Sequence, residues 1–330
     1  MANKKLKEIL KFFEENEKFI ILSHHNSDPD AICSSIALKK YLVDKGKEVR
    51  IGVSEGVNRI SKGILHKFDE EIEINPDIED TEKVLIVDTS SFEQLEPIDL
   101  TENDIYSIDH HEKGEVYKTS KISYTNPNSP STCELVYDIL KDSDYNPNGK
   151  VSTLLVLGIV YDTGHLKHSK PKTFRIMSNL LGKTNKSYGE IVQLLHTKTK
   201  IPERIAILKA ASRIDIYRIK DYLIVFSEIG SFESSCARSL IRLSADLAVV
   251  ANKSKEELRI SGRCNKTISK EIDLVGDIFD YIPETIGGSA GGHREAASAN
   301  GTKVGEMETA FKEVLKRLES KLGKKAKKLS

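Results

Sequence analysis

Four short segments of the chain combine aspartate and histidine in patterns that suit metal binding. Carboxylates gathered at one place repel one another and their pKa values rise, a conflict that bound cations remove. Asp and His without Cys favour Mn²⁺, Mg²⁺ or Fe²⁺ over a structural Zn²⁺. These are more ligands than one catalytic metal with an open coordination position requires. They fit two ions ~3.5–4 Å apart, bridged by one carboxylate. The segments HHNSDPDA, VLIVDTS, IDHH and YDTG supply His24, Asp28, Asp30, Asp88, Asp109, His110, His111 and Asp162.

The polar residues of these segments come at the ends of apolar runs. Three of the runs, Phe19–Ser23, Val84–Val87 and Ile105–Ile108, predict β-strands. The fourth, Val151–Tyr161, has an apolar centre that suits a buried strand or a buried helix, and its length favours the helix. In open parallel sheets, ligands bind outside the carboxyl ends of the strands. We therefore expect four segments that are distant in sequence to converge on one crevice.

The elements between these segments predict an α/β fold. Helices at Ala31–Val43 and Leu135–Leu140 and a strand at Glu48–Val53 alternate with the strands above. Such alternation indicates a mostly parallel sheet with helices on both faces. The 330 residues exceed the ~250–300 at which single cores stop growing, so we expect two domains. The predicted parts are a metal-binding catalytic domain (1–185), a linker (186–212) and a smaller C-terminal α/β domain (213–330), with the active-site cleft between the domains.

The second domain is predicted from a sparser pattern. A glycine-rich stretch, IGGSAGGH, leads into a closing helix, and the basic tail KKAKKLS is expected to fray. The other predicted elements are strands at Tyr222–Phe226, Leu247–Ala251 and Leu258–Gly262 and helices at Ile272–Tyr281 and Gly305–Leu322.

The amino-acid composition of the chain argues against several functional classes. With 38% hydrophobic and 30% charged residues, the chain is typical of folded proteins rather than disordered ones. A net charge of zero gives no sign of a protein that grips long nucleic-acid strands. Four widely spaced cysteines without a C-x-x-C pair indicate reduced thiols and a cytoplasmic protein. No apolar run approaches the ~18 residues of a membrane span, so no membrane association is expected.

Structural explanations exist for each polar residue taken alone. A single Asp at a strand end is most often an N-cap or a turn former, and a single His is usually not a ligand. Asp162 by itself could simply end a helix. Four such segments together have no folding rationale, and this joint pattern favours a functional metal cluster.

The four segments resemble the signature of the DHH phosphoesterase family, named for the Asp-His-His motif found here at residues 109–111. The first family motif, H-x-x-x-D-x-D-A, matches residues 24–31, and the second and fourth match Asp88 and Asp162. The resemblance covers residues 19–181. It implies a role for each matching residue: His24 and Asp28 hold one metal, Asp30, His110 and Asp162 hold the other, Asp88 bridges the two, His111 lies beside the scissile phosphate, and Asp109 orients a neighbouring histidine.

The C-terminal half resembles the substrate-binding domain called DHHA1. Its glycine-rich marker corresponds to AGGHREAAS at residues 290–298, and a Ser-x-Arg strand corresponds to RISGRCN. Ala290 and Ser298 replace glycines of the family pattern, which leaves the reaction intact and puts the substrate in doubt. The resemblance implies that a phosphate is bound by Arg263, through a bidentate guanidinium, and by its neighbours. The implied substrate-binding residues are Ser261, Arg263, Gly291, Gly292, His293 and Arg294.

The compact layout is similar to nanoRNase/pAp phosphatases, which act on very short oligonucleotides and nucleotide phosphates. The resemblance implies hydrolysis by metal-held hydroxide, with two divalent ions, Mn²⁺ favoured and Mg²⁺ next. Enzyme alternatives are a cyclic di-AMP/pApA phosphodiesterase and a single-strand exonuclease related to RecJ. A non-enzyme alternative is a catalytically silent nucleic-acid or replication-complex scaffold. The expected partner is a short oligonucleotide or nucleotide, and a homodimer is allowed.

Overall fold

The computed structural model describes residues 2–196 and 200–329. The chain divides into two compact units, unit 1 (Met1–Thr197) and unit 2 (Lys198–Ser330). Residues 197–199 of the predicted linker lie outside the described residues. Within residues 2–196 and 200–329, no helix has the length and apolar character needed to cross a membrane.

Unit 1 is built on a sheet of six parallel strands in the order β3-β2-β1-β4-β5-β6. The strand order reverses between β1 and β4, which makes the carboxyl ends of these two strands the switch point where open α/β sheets bind ligands. The strands are β1 (Lys18–Ser23), β2 (Glu48–Val53), β3 (Glu73–Ile74), β4 (Lys83–Val87), β5 (Ile105–Asp109) and β6 (Ile122–Thr125).

Eight helices of unit 1 join and cover these strands. Several helices begin at an N-cap residue of a type that favours helix starts. The side chains of Asn58 and Asn148, for example, accept hydrogen bonds from backbone N–H groups of the first turn. The helices are α1 (Ala2–Glu15), α2 (Pro29–Asp44), α3 (Arg59–Phe68), α4 (Glu115–Thr119), α5 (Thr132–Asp142), α6 (Gly149–Asp162), α7 (Pro171–Leu181) and α8 (Tyr188–Gln193).

The core of unit 1 explains the continuous apolar runs of its central strands. Phe19 and Ile21 point into the large core formed with α1, α2, α5 and α6. Ile20 and Leu22 point to the opposite face, where they pack with residues of α4 and of a 3₁₀ turn, Phe92–Leu95. Because both faces are buried, successive residues of the strand are apolar without alternation. The predicted parallel sheet covered on both faces is confirmed.

Unit 2 contains a mixed sheet of seven strands in the order β11-β12-β10-β9-β8-β7-β13. Its strand pairs are antiparallel except for β8 with β9. The strands are β7 (Asp215–Ile219), β8 (Tyr222–Ile229), β9 (Leu247–Lys253), β10 (Leu258–Cys264), β11 (Gly288–His293), β12 (Ala296–Gly301) and β13 (Lys327–Lys328). The helices are α9 (Ile201–Ser212), α10 (Glu233–Arg242), α11 (Ile282–Ile286) and α12 (Met307–Leu322).

Two predictions for unit 2 were wrong, one for a helix and one for the basic tail. The region predicted as one helix, Ile272–Tyr281, forms a π-helical turn at Leu274–Ile278 and a 3₁₀ turn at Phe279–Tyr281, because Asp273 caps a new turn inside it. The glycine-rich stretch forms strand β11. Its glycines allow a close approach to β12, since a Cβ at Gly288 would lie 1.7 Å from the Asn300 carbonyl oxygen. The basic tail pairs with β7 through Lys327 and Lys328 instead of fraying.

Candidate metal centre

The loop after β1 carries the first ligands into the switch point. Asp28 caps α2, with its Oδ1 accepting hydrogen bonds from the backbone N–H groups of Asp30 (2.9 Å) and Ala31 (3.1 Å). The structural role and the predicted ligand role are compatible, because the second carboxylate oxygen is not used by the cap. His24 lies four residues earlier, and its Nδ1 is 2.8 Å from the carbonyl oxygen of His25. A Nδ1–H donated to that carbonyl leaves Nε2 as the ligand atom.

Asp88 occupies an energetically unfavourable position at the end of β4. Its φ of 58° is in the left-handed region, which costs a non-glycine residue about 1–2 kcal/mol. Its side chain is 3% exposed, and its Oδ1 accepts a hydrogen bond of 2.7 Å from the Thr132 hydroxyl. Burial, together with the charge of Asp28, raises the pKa of Asp88 to about 6. Strain and buried charge at one residue are typical of functional sites.

The Asp-His-His motif lies at the end of β5, and its two histidines contact different partners. His111 Nδ1 lies 2.8 Å from Asp109 Oδ1, and this hydrogen bond raises the pKa of His111 to about 9. His110 Nδ1 lies 3.3 Å from the carbonyl oxygen of Ser129. The other ring nitrogen of His110 is 3.2 Å from Asp162 Oδ2 and 3.5 Å from an Asp88 oxygen.

Asp30 and Asp162 approach the centre from helices α2 and α6. Asp30 is fully buried, and its carboxylate accepts the backbone N–H groups of Thr132 (2.6 Å) and Cys133 (3.0 Å) at the start of α5. Burial, followed by the charge of Asp88, raises the pKa of Asp30 well above its ordinary value. Asp162 is the last residue of α6, where the helix dipole disfavours a negative charge. Burial raises its pKa as well.

Ligand atoms from these residues form three overlapping groups, each with all atoms within 4.8 Å of one another. One group supplies His24, Asp28 and Asp88, which is the first metal site expected from the sequence. A second supplies Asp30, His110 and Asp162, which is the expected second site. The third joins Asp88, His110 and His111, so that geometry alone also gives His111 access to a metal. The three groups are His24, Asp28 and Asp88; Asp30, His110 and Asp162; and Asp88, His110 and His111.

The negative charge of the clustered carboxylates favours bound cations at this centre. Among residues 2–196 and 200–329, no Lys or Arg forms an ion pair with Asp28, Asp30, Asp88 or Asp162. The raised pKa values of Asp30, Asp88 and Asp162 follow from desolvation and from repulsion between carboxylates. Hard carboxylate oxygens with imidazole nitrogens and no thiolate suit Mn²⁺ or Mg²⁺. The residues therefore fit bound divalent cations.

Five of the six predicted substrate-binding residues line a pocket of about 420 Å³ in unit 2. Strand register aligns them, since Ser298 pairs with both Gly291 and Ser261, and Ala296 pairs with Arg263. The residues of the prediction that line the pocket are Ser261, Arg263, Gly291, Gly292 and His293.

Arg263 and Arg294 differ in how they relate to this pocket. Arg263 donates a 3.0 Å hydrogen bond from Nη2 to Ser234, and its buried Nε has no hydrogen-bond partner within the described residues. Leaving a buried donor without a partner is energetically unfavourable. Arg294 does not line the pocket, and its Nε donates to the carbonyl oxygen of Ser269 at 2.6 Å.

Sequence reasoning missed two residues that shape the metal centre. Thr132 fixes Asp88 through its hydroxyl and binds Asp30 through its backbone. Gly158 lets α6 approach Cys133 of α5 and Asp30 of α2 closely, since a Cβ at position 158 would lie 2.2 Å from Cys133 Sγ and 2.8 Å from Asp30 Oδ1. An isolated glycine in an apolar helical run is a signal of close packing, and it stands one turn before Asp162.

Comparisons with known proteins agree with this geometry. The model of the DHH family, N-terminal domain, matches residues 18–159. An uncharacterised protein of Methanocaldococcus jannaschii is 36% identical over 317 residues, covering 93% of this chain and 94% of the relative. An exopolyphosphatase-related protein from Bacteroides fragilis is similar in structure, with a TM-score of 0.66, 20% identity and 97% of each chain covered. CDC45 from Entamoeba histolytica gives a TM-score of 0.51 at 11% identity, covering 95% of this chain and 98% of that one. The family match, the full-length relative and the Asp-His-His centre together show that the chain belongs to the DHH phosphoesterase family.

Proposed function

We propose that the chain is a two-metal phosphoesterase that hydrolyses short oligonucleotides and nucleotide phosphates. The observation that carries the proposal is the pair of three-ligand groups at the switch point of unit 1, whose ligand atoms lie within 4.8 Å inside each group. Both groups converge on Asp88, because His110 contacts Asp88 as well as Asp162. Two divalent ions held by these groups would suit the attacking and leaving oxygens of a phosphoryl displacement.

The protein side chains supply binding and orientation in this scheme. Bound divalent cations supply Lewis-acid polarisation of the phosphoryl group and activate water for the attack. Asp109 holds the Nδ1–H of His111 and thereby turns Nε2 away from the carboxylate. His111 is about half exposed, with 48% of its side chain accessible, so this nitrogen can donate a proton or a hydrogen bond to a phosphate oxygen. Thr132 holds Asp88 in place through its hydroxyl, in an orientation from which the carboxylate would bind a cation.

Unit 2 supports the substrate half of the proposal. Its pocket combines the guanidinium of Arg263, the buried hydroxyl of Ser261 and exposed glycine backbone at Gly291. A Cβ at Gly291 would meet nothing within 4 Å, so the backbone there is open to a ligand. We propose that residues 213–330 are a DHHA1 substrate-binding domain for a nucleotide. The pocket lining holds two arginines, Arg263 and Arg259, and Arg259 is paired with Glu257 at 3.1 Å. So few cations in a small pocket suit a short substrate better than a long strand, which needs many phosphate contacts.

A turnover assay on purified protein tests the function. The chain is incubated with Mn²⁺ or Mg²⁺ and with pAp, pApA, cyclic di-AMP or a twenty-nucleotide strand, and released phosphate and mononucleotide are measured. We expect hydrolysis of pAp or pApA and its loss in Asp88→Asn and Asp162→Asn. Degradation of the long strand alone would favour the exonuclease alternative, and cyclic di-AMP alone the cyclic dinucleotide alternative. Metal binding without any hydrolysis would favour the scaffold.

A further inference from the structure

A second pocket of unit 1 borders the loop that carries His24 and Asp28. Its volume is about 400 Å³, within the range typical of small-molecule sites. It is assembled from the loop after β1, the loop after β2, the helix α3 and the segment around β3. The lining residues are His25, Asn26, Glu55, Gly56, Val57, Lys62, Leu65, Ile72 and Ile74.

Backbone hydrogen bonds tie this pocket to the metal-binding loop. Ser27 N donates to the carbonyl oxygen of Gly56 at 3.2 Å, and Asn58 N donates to the carbonyl oxygen of Ser27 at 3.0 Å. Ser27 and Val57 form an isolated parallel bridge. His25 in the pocket wall directly follows the predicted ligand His24. The loop after β1 therefore contributes His24 to the candidate metal centre and the next residue, His25, to the pocket.

The floor of the pocket is aliphatic and its rim is polar. Val57 and Leu65 are buried, whereas Ile74 is 60% exposed on the edge strand β3. The rim side chains of Asn26 and Lys62 are exposed and form no hydrogen bond or ion pair with other described residues. A small-molecule site typically combines an apolar lining with a few polar groups, and a nucleobase, with apolar faces and a polar edge, matches this arrangement.

The charges of the rim argue against a chain of phosphates. Lys62 is the single permanent cation of the lining, and the carboxylate of Glu55 faces the same space. Polyphosphate binding requires clustered cations, whereas here an anionic chain would meet Glu55 and the aliphatic floor. We propose that this pocket binds the nucleobase of a substrate whose phosphate lies at the metal centre. The proposal rests on the phosphoester chemistry proposed above, and it selects nucleotides over inorganic polyphosphate as the substrate class.

Equilibrium binding to the full chain tests this assignment without turnover. In saturating Mn²⁺, the dissociation constants of AMP and ribose 5-phosphate are measured by calorimetry for the wild type and for Ile74→Glu. Ile74 is exposed, so the substitution leaves the core intact. We expect AMP to bind at least about tenfold more tightly than ribose 5-phosphate in the wild type, and Ile74→Glu to remove that preference.

The matched control is Val43→Glu, which places the same charge on another exposed aliphatic residue, 45% accessible, of unit 1. Val43 lies near the far end of α2, about 22 Å from Asp28 at 1.5 Å rise per residue, and this variant should keep the wild-type preference. Equal binding of the two ligands by the wild type, or a preference for AMP that survives Ile74→Glu, overturns the assignment. A chain that shows the expected binding but hydrolyses no phosphoester contradicts the proposed function and leaves the pocket assignment standing.

Discussion

Asp88 should make the metal-free protein less stable as the pH rises. Its pKa in the folded chain is raised from an ordinary value of 3.8 to about 6, because burial and Asp28 disfavour its charge. A carboxyl group with a raised folded pKa contributes stability that is fully present below 3.8 and lost as the pH rises through 6. The difference between these two values corresponds to about 3 kcal/mol of unfolding free energy.

The comparison that isolates this effect is wild type against Asp88→Asn. Asparagine keeps the size of the side chain and tolerates the left-handed backbone, but it does not titrate. Both proteins are stripped of metal with chelator, and the opening free energy of β4 amides is measured by hydrogen exchange between pH 4 and pH 7. This observable reports unit 1 separately, which a global unfolding curve of a two-unit chain does not.

We expect the wild type to lose about 3 kcal/mol relative to Asp88→Asn across this pH range, with most of the loss between pH 4 and 6. Saturating Mn²⁺ should reverse the trend for the wild type, because the ion binds the ionised carboxylates and stabilises the folded state. A difference between the two proteins that stays constant with pH would refute the reasoning.

The remaining predictions concern packing, proton placement and metal content. Gly158→Ala should lower unit 1 stability by about 1–3 kcal/mol and weaken Mn²⁺ binding, since the added methyl overlaps Cys133 and Asp30. Hydrogen exchange measures the stability and calorimetry measures the Mn²⁺ affinity. An unchanged Mn²⁺ affinity would contradict the effect on binding. Asp109→Asn should lower turnover about 10–100-fold while the His111 pKa, followed by NMR, falls towards its ordinary value; full turnover would show that this hydrogen bond does not position His111. Removal of metal by a chelator should abolish hydrolysis, and titration with Mn²⁺ should restore it. Mass spectrometry should count about two ions per chain in the restored protein. Full restoration at one ion per chain would contradict an Asp88 shared by two ions.

The clustering of the candidate metal ligands could be predicted because these residues follow strong apolar patterns. The runs before Asp88 and Asp109 are buried on both faces, so their strand character is visible in the sequence, and parallel strands bring their carboxyl ends together. Asp162 was identified in the same way from the apolar run of α6. The convergence of residues separated by more than a hundred positions therefore follows from strand order and burial.

Other parts of the structure depend on contacts that no local pattern encodes. Thr132 begins α5 directly after a polar segment of the sequence, and its bond to Asp88 arises only when α5 packs against the sheet. The glycine-rich strand β11 has low intrinsic strand propensity, and its pairing with β12 determines its conformation. The strand β3 is two residues long and lies at the sheet edge, which is too short for alternation to be recognised. In each case tertiary packing overrides the local signal.

The pairing of the last strand has a practical consequence for handling the protein. β13 covers the outer side of β7 through Lys327 and Lys328, and Leu329 N donates a further 2.8 Å hydrogen bond to the Ile216 carbonyl oxygen. Truncation after Gly323 would uncover a row of unpaired backbone groups, and such edges recruit strands from other molecules. Shortened versions of the chain should therefore associate and precipitate more readily than the full chain, and purification tags are better attached at the opposite terminus.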